Sequence, residues 1–137
     1  MCRFTKAWSM PEVPLISIVD DDGFVRESTK GLVRSMGYAA ETFASAEEYL
    51  RSTRVANTAC LISDIQMPGM NGVDLQDRLI ADGYRLPIIF ITAFPDPKIR
   101  ARVMKAGACG VLTKPFSDES LTDCLERALG GRTDPAS

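Results

Sequence analysis

Short apolar runs alternate along the chain with longer stretches whose apolar residues recur at helical spacing. Leu15-Ile16-Ser17-Ile18-Val19 and Ala59-Cys60-Leu61-Ile62-Ser63 have the length and β-branched content of buried parallel strands. Ala39–Phe43, Pro87–Ile91 and Val111–Thr113 read as three more strands. Between them, Val25, Thr29, Leu32, Val33 and Met36 form one helical stripe that Gly37 ends. Ser45 is placed to cap a short helix, with Glu48 three residues on to complete a capping box. A third helix is predicted over Val73 to Ala81, closed by Gly83. A fourth begins near Pro95 and Pro97 and carries the stripe Ile99, Val103 and Ala106. The last carries Leu121, Cys124, Leu125, Ala128 and Leu129 and stops at Gly130-Gly131. Strands alternating with helices over short connections imply an α/β fold, a parallel sheet covered by helices on both faces.

The 137 residues, 45% of them hydrophobic, suit one domain with one substantial interior. Residues 1–14 read as an N-terminal extension, 15–129 as the domain and 130–137 as a polar tail or the start of a linker. Met10 is a candidate alternative start. No run reaches the roughly 18 apolar residues of a membrane span, and no secretory signal precedes the first strand. A net charge of −2 and no basic stripe argue against direct contact with nucleic acid. Cys2, Cys60, Cys109 and Cys124 form no C-x-x-C pair and read as small hydrophobes of a reducing, cytoplasmic protein. The absence of histidine removes every Ser-His or Cys-His nucleophile pair and the commonest zinc ligand.

The polar residues at the strand ends change the picture most. Asp20-Asp21-Asp22 follows the first strand, Asp64 the third, Thr92 the fourth and Lys114 the fifth. In an open α/β sheet, such positions converge on one crevice. Two carboxylates ~4.5 Å apart there repel by roughly 4 kcal/mol at an effective dielectric near 20. A cation, a raised pKa or a basic side chain has to relieve that repulsion. Carboxylate oxygens with waters suit magnesium, lysine holds a phosphoryl oxygen as a point donor, and an aspartate can itself form an acyl phosphate. Phosphoryl transfer needs mainly positioning and charge neutralisation, which this set supplies without histidine. Asp22 has a simpler role available as the N-cap of the first helix. Met67 and Met70 read as loop packing, and Asp123, Glu126 and Arg127 as a solvated helix face.

Four motifs now stand in order: Val19-Asp20-Asp21-Asp22, Asp64-Ile65-Gln66-Met67-Pro68-Gly69-Met70-Asn71-Gly72, Ile91-Thr92-Ala93 and Lys114-Pro115-Phe116. Through them the chain resembles the receiver domain of two-component response regulators, from about Leu15 to Leu129. The resemblance implies a flavodoxin-like (βα)5 sandwich with strand order 2-1-3-4-5. It implies that Asp64 accepts the phosphoryl group, with Thr92 and Lys114 contacting it. Asp20, Asp21, Asp64 and the backbone carbonyl of Gln66 would hold Mg2+, with Mn2+ as a possible substitute, and the Lys114–Pro115 bond would be cis. The donor would be a phosphohistidine on a sensor histidine kinase or phosphotransfer protein, and the reader a downstream protein or a fused output domain. The domain would catalyse its own phosphorylation and slow dephosphorylation without being a turnover enzyme.

One position departs from the pattern. Many receivers carry Tyr or Phe three residues before the lysine, where this chain has Val111 preceded by Gly110. Signalling would then rest on Thr92 and the loop from Phe94 to Lys98, with Phe94 placed to shield an acyl phosphate from water. Two alternatives accompany the switch. One is the front part of a longer transcriptional regulator whose DNA-binding output domain lies outside this sequence. The other is an aspartyl-phosphate hydrolase, against which Gln66 stands where such enzymes place a second aspartate.

Overall fold

The computed structural model describes residues 13–130. Five strands, β1 (Leu15–Val19), β2 (Ala39–Phe43), β3 (Cys60–Asp64), β4 (Ile88–Thr92) and β5 (Gly110–Thr113), form one sheet in the order β2-β1-β3-β4-β5. All four pairings are parallel. The helices between them are α1 (Gly23–Ser35), α2 (Ala46–Arg51), α3 (Gly72–Ala81), α4 (Pro97–Lys105) and α5 (Asp118–Leu125). A short 3-10 turn at Val55–Asn57 leads into β3, and a π-helical turn, Glu126–Gly130, extends α5. This is the doubly wound, flavodoxin-like sandwich with the strand order that the resemblance implied.

Alternation along the strands builds two cores. Val19, Leu61 and Phe90 face one way and pack with Tyr49, Leu75, Leu79 and Val103 from α2, α3 and α4. Ile16, Ile18, Ile62, Ile89 and Ile91 face the other way, against Val33 of α1 and Leu121 and Leu125 of α5. Every residue of β3 and β4 is buried, which is why residues 60–62 and 88–91 run continuously apolar up to the polar strand ends. Cys60 and Cys124 lie in this interior as free thiols, and Cys109 is half-buried. Met67 is buried in the first core with Met70 packed beside it, as loop packing predicts.

Caps set where the helices begin. Asp22 accepts from the backbone N–H of Phe24 at 2.9 Å and of Val25 at 3.3 Å, which makes it the N-cap of α1. Ser45 accepts from Glu48 N–H at 3.0 Å, but Glu48 returns its bond to Ala44 N–H, one residue before the cap. The predicted reciprocal box is therefore displaced. A complete box occurs at α3, where Asn71 and Asp74 bond each other's backbone. Gly37 (φ 95°) and Gly83 (φ 88°) end α1 and α3 in the left-handed region, where a side chain would be strained.

Ala106 does not belong to the buried stripe of α4. It is the exposed C-cap, and Ala108 beyond it is the buried residue. The last helix does reach Gly130, whereas Gly131, the tail and the candidate start at Met10 lie outside the described residues.

Candidate functional site

The parallel sheet brings the ends of β1, β3, β4 and β5 to one edge. Val19 pairs with Ser63, Asp64 with Ile91 and Thr92 with Thr113, so Asp20, Asp64, Thr92 and Lys114 emerge at nearly one level. Asp20 and Asp64 are buried, and Asp21 is exposed. One carboxylate oxygen from each of the three lies within 4.8 Å of the others. The Lys114 ammonium stands 3.2 Å from both Asp20 Oδ2 and Asp64 Oδ2. The Lys114–Pro115 peptide bond is cis.

Burial, then the Asp20 charge, push the Asp64 carboxyl up to about 6, against the opposing pull of Lys114. Burial alone would lower the Lys114 ammonium. The Asp64 and Asp20 carboxylates outweigh it and hold the lysine above its ordinary value. The ammonium thus offsets part of the acidic charge but not all of it.

Asp64 Oδ1 is buried and has no hydrogen-bond partner. A buried carboxylate oxygen left bare is costly, and such groups are ordinarily satisfied. Three converging carboxylates, with Asp20 Oδ2 and Asp64 Oδ1 buried and accepting no hydrogen bond, fit a hard, oxygen-preferring divalent cation.

The loop from Asp64 to Gly72 is shaped by close packing. A Cβ on Gly72 would collide with the Asp64 carbonyl oxygen and lie 3.0 Å from Ile65 Cα. Gly72 N–H bonds Ile65 O at 2.9 Å across the loop. Glu47, in the first turn of α2, accepts from Met70 N–H at 2.9 Å and ties the loop to α2. That bond, foremost, holds the Glu47 carboxyl below its usual range. Arg26 donates to Asp20 O at 2.7 Å, and Asp22 N–H donates to Asp20 Oδ1 at 2.9 Å, fixing the β1–α1 turn.

Neither Arg26 nor Glu47 was singled out from the sequence. Glu47 and Met70 are 23 residues apart, and no local pattern announces the contact. Arg26 lies one turn into α1, where a long basic side chain ordinarily reads as surface.

Thr92 lies 1% exposed at the end of β4. Its hydroxyl donates to Gln66 Oε1 at 2.7 Å and accepts from Phe94 N–H at 3.0 Å. The Gln66 side chain is thus engaged with Thr92. The Phe94 ring is 71% exposed and borders a cavity of about 190 Å³ with Gln66, Thr92, Ile99 and Val111. In this conformation the ring covers little, and shielding would require it to move inward.

Residues 16–126 match the family model described as the response regulator receiver domain. The chain belongs to the response regulator receiver family.

The receiver is 41% identical over 115 residues to the response regulator protein TodT of Pseudomonas putida, covering 84% of this chain and 51% of TodT. It is 40% identical over 114 residues to nodulation protein W of Bradyrhizobium diazoefficiens, covering 83% of this chain and 50% of that protein. Among solved structures, the response regulator StyR superposes with a TM-score of 0.81 at 41% identity, over 91% of this chain and 63% of StyR. The receiver spans about half the length of the curated relatives it matches. It is a module of two-component signalling, in a family of phosphoacceptor switches rather than turnover enzymes. Among the described residues, no helix is long and apolar enough to cross a membrane.

Proposed function

We propose that Asp64 is the phosphoacceptor of this receiver and takes its phosphoryl group from a phosphohistidine on a partner sensor kinase or phosphotransfer protein. One observation carries the reading. Lys114 Nζ engages Asp64 Oδ2 at 3.2 Å, while Asp64 Oδ1 is buried and unpartnered, held at the edge of a three-carboxylate cluster. That is a nucleophile positioned by one oxygen and free at the other.

In the reaction, Asp64 Oδ1 forms the new bond to phosphorus. The phosphorus–nitrogen bond to the donor imidazole breaks, and the imidazole leaves with the electron pair. Lys114 then offers its ammonium to a phosphoryl oxygen, and the Thr92 hydroxyl turns to another. Asp20, Asp21, Asp64 and the Gln66 backbone carbonyl would hold Mg2+, or Mn2+ in its place. The metal would neutralise charge on the phosphoryl oxygens. Since the 137 residues contain no histidine, the donor imidazole comes from outside them.

The domain assists its own phosphorylation and slow hydrolysis. The reader is a downstream protein or an output domain fused beyond this chain, as the half-length coverage of TodT suggests. In this reading residues 15–129 are the switch, 1–14 an extension and 130–137 the way into a linker, and the setting is the cytoplasm.

Incubation with Mg2+ and acetyl phosphate, followed by intact-mass measurement, tests the proposal. It predicts one phosphoryl adduct on the unaltered chain, and none with Asp64→Asn or with excess chelator. An adduct of equal yield on Asp64→Asn, or steady turnover of a phosphomonoester, would overturn it.

A further inference from the structure

A hydroxyl has one proton to give, and Thr92 gives its proton to Gln66. The Thr92 Oγ1 to Gln66 Oε1 distance is 2.7 Å, and one lone pair of Thr92 Oγ1 accepts from Phe94 N–H at 3.0 Å. With Thr92 1% exposed, water is a poor substitute for either partner.

We propose that Gln66 is a latch, a positioning residue whose side-chain carbonyl holds the Thr92 hydroxyl away from the phosphoryl position. This rests on the reading of Asp64 as phosphoacceptor and Thr92 as its switch. Thr92 cannot donate to a phosphoryl oxygen while it donates to Gln66. Engagement at Asp64 therefore exchanges one acceptor for the other, and the Gln66 bond is part of what phosphorylation has to overcome.

The same rotation moves the oxygen that holds Phe94 N–H. Phe94 opens the loop into α4, and its ring borders the cavity under that loop beside Val111. Release of the latch is thus coupled, through one shared oxygen atom, to the segment that leads to α4. Gln66 sets the threshold of the switch without touching the transferred group.

The test uses beryllium fluoride with Mg2+, a stable stand-in for an aspartyl phosphate, titrated onto the full chain. Gln66→Met keeps side-chain length and removes the acceptor, and Gln66→Leu serves as a second version. Each is expected to bind the complex about 3- to 10-fold more tightly than the unaltered chain, the range of one net hydrogen bond. In a Thr92→Val background the Gln66 substitutions are expected to have no effect, because no hydroxyl remains to be held. The Phe94 amide resonance of metal-free Gln66→Met is expected to shift toward its position in the beryllium fluoride complex.

Unchanged or weaker binding in both variants would overturn the latch. So would an equal gain when Thr92 is already valine. If the unaltered chain bound no beryllium fluoride, the Asp64 reading itself would fall and the latch with it. Binding that is normal in the unaltered chain and unmoved by Gln66 removes the latch alone.

Discussion

Asp64 is buried beside a second buried carboxylate and is only partly compensated by Lys114, which is why its pKa stands near 6. The sign of the consequence follows from linkage. The folded chain holds the Asp64 proton more tightly than the unfolded chain, so stability is greatest below the ordinary aspartate value of 3.8 and falls as pH rises toward about 6. Above that range the ionised group destabilises the metal-free fold. Asp64→Asn removes this cost, so the metal-free variant should melt higher than the unaltered chain at pH 8 and at the same temperature near pH 4. Equal melting temperatures at both pH values would contradict this. At the residue scale, the acids and Lys114 were legible because each directly follows an apolar run. The direction of the Gln66 side chain was not, since it depends on where Thr92 stands, 26 residues away.

At the scale of elements, the loop between β3 and α3 constrains the site most tightly. Gly72 is in the first turn of α3 with the Asp64 carbonyl oxygen, Ile65 Cα and Phe90 Cε1 crowded against it. Gly72→Ala has no flexible side-chain end to push aside, because two of those three neighbours are backbone atoms. It is expected to cost about 2 to 3 kcal/mol in urea unfolding and to weaken Mg2+ binding together with stability. A variant with the unaltered chain's urea midpoint would show that the loop has room to give.

Sequence reading identified Gly72 as a turn former but not its contact with the Asp64 carbonyl, which requires the folded loop. Strand identity was equally legible, because β3 and β4 are buried on both faces and so apolar up to their polar C-terminal ends. Helix edges were less so. Glu48 bonds Ala44 rather than Ser45, and the complete box at Asn71-Asp74 uses Asn and Asp where Ser and Glu are the usual signal.

For the molecule as a whole, two cores clamp one parallel sheet, and the site sits where the strand ends open between them. The order of β1, β3 and β4 at the centre makes residues 44 and 50 positions apart in sequence, Asp20 with Asp64 and Asp64 with Lys114, neighbours at one rim. The alternating pattern made the layered fold legible. The four motifs in order made the family legible. The contacts from Arg26 and Glu47 that hold the rim in shape were hidden, since each joins segments with no shared periodicity.

The central claim is that this rim delivers a phosphoryl group to one particular oxygen acid among three. Borohydride reduction of the acetyl-phosphate-treated chain converts an aspartyl phosphate to homoserine, and peptide mass mapping then locates it. The account predicts homoserine at position 64, dependent on Mg2+. Conversion at Asp20 or Asp21 instead, or labelling at 64 that does not need the metal, would contradict it.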